Sequence, residues 1–474
     1  AERALTVVSG LVLDVATDRD AIVPGQPFPV TVTLWNSGRT AIAVALVELV
    51  SSVGWRQRSA APAAQELLAG AMGSWTLEAE APAGVAPTVP YFLELPLQGD
   101  LYDWSQAPAA ARGLPFQPAP LSARIRLGLG ALPLVLEREA VLRFGDQALG
   151  EVRRPLRAVP ALEVEVEPDL LVWPLPQAGA GASERTLEVV LTSRSPTAVT
   201  GTLESTLPAG WPALPAQPFS LAAARERETV RTVVRVPLRL PKNAVAGNAT
   251  VEIVARTADG VSSALAVPVV NYSHIRPVPR PAAATARLAI GDIRVPPLGR
   301  VGYVVGASDR VPGYLSAIGV PLALLGEREL AEENLSAYDA IVIGSRAYET
   351  VPALARANSR LLDYVKAGGL MIVQYQQYPF VAGGFAPLAL EIARPHDRIT
   401  DETAASTLLE PTHAAFTKPN ALNAADWTGW VQERGLYFAH TWDAGYTPLL
   451  EFTDPGQPAQ RGGLLVAHLG KGTY

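Results

Sequence analysis

The sequence predicts a multidomain chain rich in β structure. An all-β sandwich over residues 1–158 is followed by a second over 159–275, a proline-rich linker over 276–285, and an α/β domain with a mostly parallel sheet over 286–474. Three observations predict this. Apolar and polar residues alternate with period two in the first two-thirds, a block of that region recurs later, and near Ala286 the texture changes to short apolar runs separated by helical stretches.

In PFPVTVTLWNSG, Phe28, Val30, Val32 and Leu34 alternate with Pro29, Thr31 and Thr33, the pattern of a strand with one buried face. The alternation returns at Val234, Val236, Leu238 and Leu240. Prolines inside such runs predict edge strands, because proline cannot donate to a ladder. The block VTLWNSGRTAIAVALVELVSSVGW (32–55) recurs as VVLTSRSPTAVTGTLESTLPAGW (189–211). The offset of about 156 residues predicts two copies of one sandwich, since solenoid repeats run at roughly 20–50 residues. Each copy places a tryptophan, Trp55 or Trp211, after a strand end as a packing anchor, with sugar stacking as a second reading. The stretch GEVRRPLRAVPALEVEVEP (150–168) joins the two copies, and RPVPRPAAAT (276–285) is a semi-rigid spacer.

Beyond the spacer, RVGYVVG (300–306), AIVIGS (340–345) and GLMIVQYQ (369–376) read as buried parallel strands. Helical stretches at VPGYLSAIG and ERELAEENLSAYD lie between the first two. PALARANSRLLDYVKAGG is the strongest helix. Pro352 stands in the first turn, Leu354, Leu361, Leu362 and Val365 share a face, and Gly368 stops it. This order predicts helices on both faces of the sheet. The tail returns to strand-like runs at LYFAHTW, PLLEFTD and GGLLVAHLGKGTY.

Composition excludes several classes of function. The absence of cysteine removes disulfides, thiolate ligands and a cysteine nucleophile. A net charge of −6 gives no electrostatic reason to expect nucleic acid. No apolar run reaches the ~18 residues that span a bilayer, so no membrane span is expected. With 42 prolines and 39 glycines, the chain suits many short strands. AERALTVVSG lacks an initiator methionine and a signal pattern, and LGKGTY stops inside a strand-like run. The expectation is a piece of a longer protein.

In an open parallel sheet, ligands bind beyond the carboxyl ends of the strands. Those ends carry Asp309 and Arg310, then Arg346, Tyr348 and Glu349, then Gln374, Tyr375, Gln376 and Gln377. One reading is a ligand pocket containing Arg346, Tyr348, Glu349, Gln374 and Gln376. In the other, Asp309 and Thr350 cap helices while Arg346 and Glu349 pair locally. The stretch RPHDRITDET (394–403) gathers His396, Asp397, Arg398, Asp401 and Glu402. Either it is a self-satisfied loop, with Asp397 paired to Arg398 and Asp401 or Thr400 capping a turn, or His396, Arg398 and Glu402 face the Arg346 edge. WTGWVQERGLYFAHTW (427–442) sets Trp430 beside Glu433, a means of holding a sugar or a device for closing the sheet edge. The five histidines show no i, i+4 pair and no HExxH, and there is no G-x-S-x-G elbow and no phosphate loop. No catalytic residue and no metal ligand are assigned.

The runs RVGYVVGASDRVPGYLSAIGVPLALL, YDAIVIGSRAYET, LLDYVKAGGLMIVQYQQ, HDRITDE, DWTGWVQERGLYF and GGLLVAHLGKGTY resemble the C-terminal region of large bacterial PIG-L (LmbE-like) deacetylases. In those proteins a zinc-dependent N-acetyl-sugar deacetylase domain precedes sandwich domains and a domain similar to class I glutamine amidotransferases and the ThuA-like group. The resemblance implies immunoglobulin-like sandwiches and a flavodoxin-like, glutamine amidotransferase-like domain. The departures are informative. No His-Pro-Asp-Asp-Glu segment is present, His396 being followed by Asp397 and Arg398, so zinc is expected only in a deacetylase domain outside this chain, and no cofactor within it. The turn after GLMIVQ offers Tyr375 and Gln376 where an amidotransferase has its cysteine.

The expectation is therefore a non-catalytic accessory region of a secreted, extracytoplasmic bacterial deacetylase, binding a carbohydrate or positioning domains. Protein partners in an extracellular assembly are the alternative. A hydrolase built from Arg346, Glu349 and His396 is a further one.

Overall fold

The computed structural model describes residues 2–176, 183–225, 228–431 and 434–474, and is mostly β. It forms two compact units, Ala1–Leu170 with Ala182–Lys242 and Thr250–Arg287, and Leu171–Gly181 with Asn243–Ala249 and Leu288–Tyr474.

In the first unit, strand Pro27–Asn36 buries Phe28, Val30, Val32 and Leu34 and turns its threonines outward, as period-two alternation requires. It pairs antiparallel with Leu11–Thr17 on one side and Met72–Glu80 on the other. Leu11–Thr17 in turn lies parallel to Val141–Asp146, which carries Gly150–Pro155 at the sheet edge. A four-stranded sheet holds Gln65–Leu67, Ile42–Val50, Ser122–Leu129 and Leu132–Glu139. Side chains of both sheets, among them Val32, Leu34, Leu77, Val44, Val47 and Ile125, share one core, giving a sandwich-like layer pair.

Further along, Leu162–Glu167, Glu184–Ser193 and Val230–Arg239 form a three-stranded sheet, while Val199–Thr206 pairs with Gln217–Leu221 and with residues 252–257 in another sheet. Pro237 sits on the edge strand of the three-stranded sheet, as proline requires. Pro29 corrects the edge-strand expectation, because its strand is central. The pairing with Leu11–Thr17 stops at Val30, however, so Pro29 meets a neighbour on one side alone.

The sequence repeat corresponds to one structural device used twice. Strands Pro27–Asn36 and Ile42–Val50 belong to different sheets, and so do Glu184–Ser193 and Val199–Thr206. Each turn that changes sheet hangs on a buried polar side chain. Asn36, 1 % exposed, accepts from the Gly38 N–H and donates to the carbonyls of Thr40, Leu67 and Leu68. Ser193 accepts from the N–H of Ser195, the same i+2 geometry. Trp55 is buried edge-on to Phe28, whereas Trp211 is half-buried.

In the second unit a seven-stranded sheet runs in the order Leu322–Leu324, Val301–Val304, Ala340–Ile343, Leu370–Val373, Gly472–Thr473, Leu465–Leu469, Tyr446–Pro448. The pairs through Gly472–Thr473 are parallel and the last two antiparallel. Successive residues of Ala340–Ile343 face opposite ways. Ile341 and Ile343 pack with Leu354, Leu361 and Val365 of helix Pro352–Ala367, and Ala340 and Val342 pack with Val311 and Leu315 of helix Val311–Ala317. The long helix begins on Pro352 and ends at Gly368, whose φ of 124° suits glycine, while Leu362 is half-buried rather than part of the buried stripe. No helix among the described residues is long and apolar enough to cross a membrane.

Candidate site at the carboxyl edge of the sheet

Strands Val301–Val304, Ala340–Ile343 and Leu370–Val373 end side by side, and their exits are laced together. The N–H groups of Gly344, Gln374 and Arg346 donate to the carbonyls of Val304, Ile343 and Tyr375. The chains approach so closely that a Cβ on Gly306 would lie 1.9 Å from the Ser345 carbonyl oxygen, and one on Gly344 would lie 2.2 Å from Asp309 Oδ2.

Asp309 organises the first exit. Its Oδ2 accepts from the Tyr303 hydroxyl (2.8 Å) and the Gly306 N–H, and its Oδ1 accepts from the N–H of Val311 at the helix start. Gln374 donates to the same tyrosine oxygen at 3.1 Å. Burial first, and then the Asp309 carboxylate, hold the Tyr303 hydroxyl well above the usual phenol range, so it stays a donor.

Arg346 holds a left-handed backbone (φ 57°) and places its guanidinium on Glu349 Oε2 at 2.8 Å. That hydrogen bond raises the arginine pKa further, and the Arg346 N–H donates to the Tyr375 carbonyl. Glu349 Oε1 is buried with no hydrogen-bond partner. Tyr437, also left-handed (φ 56°), meets Tyr375 and Tyr378 edge-on and lies flat on His396. Arg394 caps the group, its guanidinium 4.0 Å from the Tyr378 ring centroid. Ser308 (φ 51°) is the third non-glycine residue with left-handed backbone among those described, and it follows Val301–Val304. All three therefore belong to this edge.

Arg346, Glu349, Gln374 and His396 thus gather around the strand ends. Arg346 and Glu349 pair as the local reading has it, but Thr350 caps no helix: its hydroxyl donates back to the Arg346 carbonyl, and helix Pro352–Ala367 has Val351 at its N-cap with no side-chain cap. Two further expectations are corrected. Tyr348 is core, stacked on Phe385 with its hydroxyl on Asn358 Oδ1, because its position on the turn after Arg346 points it under the sheet edge. Gln376 is also buried. It donates to the carbonyls of Gly344 and Gln374 and so ties the exits together instead of facing a ligand.

The 394–403 stretch divides. His396 reaches the tyrosines. Asp397 pairs with His440 at 2.7 Å instead of with Arg398. Asp401 caps its own turn by accepting from the Thr403 N–H and hydroxyl, while Thr400 and Asp401 donate to Asp454. Arg398 lies near enough to Asp454 to lower its pKa, and Glu402 is exposed on the turn. Trp430, 42 % exposed, stacks on Trp427 at 5.3 Å with Arg434 over its other part, and Trp427 abuts Phe452. Glu433 lies outside the described residues. No group of three or more His, Asp or Glu able to hold a metal occurs among the described residues. Sequence reading did not single out Tyr303, Tyr378, Tyr437 or Arg394. Two tyrosines close together at Tyr375 and Tyr378 are a usable signal, and Tyr437 stands in the aromatic stretch 427–442, where the tryptophans drew the reading instead.

No family model matches the chain. No curated protein matches it either. Among solved structures, red sea bream transglutaminase aligns over 61 % of this chain and 33 % of its own, at 14 % identity and a TM-score of 0.25. Escherichia coli alpha-2-macroglobulin aligns over 59 % of this chain and 22 % of its own, at 12 % identity and a TM-score of 0.20. CBD12 from CALX1.2 aligns over 58 % of this chain and 99 % of its own, at 9 % identity and a TM-score of 0.20. The chain spans a third of the length of the transglutaminase. Likeness at this level identifies neither a fold nor an activity.

Proposed function

We propose that this chain is a non-catalytic recognition region of an extracytoplasmic bacterial PIG-L-type deacetylase, and that it holds a carbohydrate at the carboxyl edge of a flavodoxin-like, glutamine amidotransferase-like sheet. One observation carries the reading. Among the described residues, the three non-glycine positions held in left-handed backbone, Ser308, Arg346 and Tyr437, lie in segments at this edge: the Ala307 N–H donates to the Ser345 carbonyl, the Arg346 N–H to the Tyr375 carbonyl, and Tyr437 packs on Tyr375. Each such residue costs of order 1–3 kcal/mol and persists where the surroundings over-determine it, commonly at ligand clamps. The chemistry of the edge fits a polyhydroxylated ring. Tyr375, Tyr378 and Tyr437 offer aromatic surface, Arg346 offers donors, and the orphaned Glu349 Oε1 lacks the donor that a sugar hydroxyl supplies. The hydrolase alternative is disfavoured because the Arg346 fork already occupies Glu349. A glycan array tests the proposal. Binding to an amino-sugar polymer, lost in Tyr437→Ala, is expected; silence across all glycans sinks it. A His-Pro-Asp-Asp-Glu domain encoded upstream of Ala1 would be the matching genetic result.

A further inference from the structure

Arginines converge in the first unit, away from the sheet edge. A cleft of about 640 Å³ is bounded by the loop after Leu11–Thr17, by strands Val141–Asp146 and Gly150–Pro155, and by residues Arg194, Pro196, Ala224 and Arg225. Six arginines, Arg19, Arg143, Arg154, Arg157, Arg194 and Arg225, line it against the three acids Asp18, Asp20 and Glu228, in a chain whose net charge is −6. Three of the six are committed. Arg19 forks onto Asp18, Arg143 pairs with Asp14, and Arg194 pairs with Glu163.

The other three are not saturated. Arg154 lies 5.2 Å from the centroid of the Phe144 ring and has no carboxylate among the described residues. Arg157 touches Asp20 through Nε alone, at 3.4 Å, while its Nη1 is buried without an acceptor. Arg225 is exposed on the rim and has no ion-pair partner among the described residues. A guanidinium carries five N–H donors in a rigid fork, and a buried one without an acceptor is a position at which an oxyanion is favoured over empty space.

We propose that this cleft binds the acidic group of an anionic saccharide, with Arg157 and Arg154 forking onto a carboxylate or sulfate and Arg225 closing the rim. The walls suit a sugar acid better than a bare ion. The half-buried Leu142 and Phe144 supply apolar surface beside the arginines, and the volume is that of an ordinary small-ligand site. A nucleic acid is the poorer fit, because the arginines are enclosed in one cleft and not spread along a stripe. The site is independent of the proposed sheet-edge site.

Titration of the full chain with galacturonate oligomers, heparin oligomers, neutral cello-oligomers and a single-stranded DNA oligomer tests the proposal. An acidic oligosaccharide should bind and weaken with added salt. It should weaken about tenfold or more in Arg154→Gln and in Arg225→Gln, the latter a rim change that leaves the fold intact. Arg235→Gln, at an exposed position paired with Glu188 elsewhere in the unit, should change nothing. Galacturonate against heparin distinguishes carboxylate from sulfate. The proposal is overturned by no acidic binding, by equal binding of neutral oligomers or DNA, or by acidic binding unchanged in both cleft variants.

Discussion

His396 lies flat against Tyr437, ring centroids 3.8 Å apart and planes 6° from parallel, although His396 stands in one polar loop and Tyr437 in another. The stack fixes a ring on a residue whose backbone is strained, so two opposing contributions can be separated. Tyr437→Ala loses aromatic packing worth roughly 0.5–1.5 kcal/mol and keeps a left-handed penalty of about 1–2 kcal/mol that Tyr437→Gly relieves. Urea denaturation should therefore show Tyr437→Gly more stable than Tyr437→Ala by about 1 kcal/mol, with glycan binding lost in both. Equal midpoints would show that the strain is not real.

The Arg346–Glu349 pair has a second consequence. Removing Arg346 leaves a carboxylate with one oxygen already orphaned, so Arg346→Ala and Glu349→Ala should not add. A double-mutant cycle should give a measurable favourable coupling, kept modest by the 41 % exposure of the arginine. A coupling within error of zero would make the pair incidental.

Asn36 and Ser193 occupy equivalent turns but carry different loads. Asn36→Ala strands three carbonyls and one N–H and should cost about 2–4 kcal/mol, whereas Ser193→Ala removes one acceptor and should cost about 1 kcal/mol. Chemical unfolding of the two variants checks the order, and a costlier Ser193→Ala would reverse the argument.

Acid should loosen the 400–403 turn. The hydroxyl and N–H of Thr403 hold Asp401 below the usual carboxyl range. Burial raises Asp454, but the N–H groups of Thr400 and Asp401 and the Thr400 hydroxyl outweigh it and bring it below as well. With folded values depressed, the stabilisation is in full force above the ordinary carboxyl pKa of about 4 and is lost as pH falls through the lower folded values. The melting temperature of the wild-type chain should drop on the acid side below about pH 4, and that of Asp454→Asn should drop less steeply.

Helix Pro352–Ala367 and the alternating strand Pro27–Asn36 are legible because their cues are local, a first-turn proline, a stopping glycine and a period of two. The strand ends and the Arg346–Glu349 pair are legible for the same reason. What sequence reading placed wrongly depends on distant partners. Tyr348 and Gln376 have the chemistry of ligand-binding residues, yet Asn358, Phe385 and the exits of neighbouring strands claim them. Asp397 has Arg398 beside it and chooses His440, and the turn at Thr400 is tied to Asp454. Nothing in RPHDRITDET announces those choices.

The parallel pairing of Leu11–Thr17 with Val141–Asp146 bears on synthesis. Leu11–Thr17 cannot find that neighbour until the ribosome has delivered the chain past residue 146, and the edge strand Gly150–Pro155 comes later still. Through that interval the flank of Leu11–Thr17 that will receive it is an open template for another chain. Contacts of such long separation also close slowly, which lengthens the exposure. Newly made chains should therefore depend on a holding factor until residue 155 emerges, and truncations ending between 100 and 140 should be captured by chaperones or aggregate.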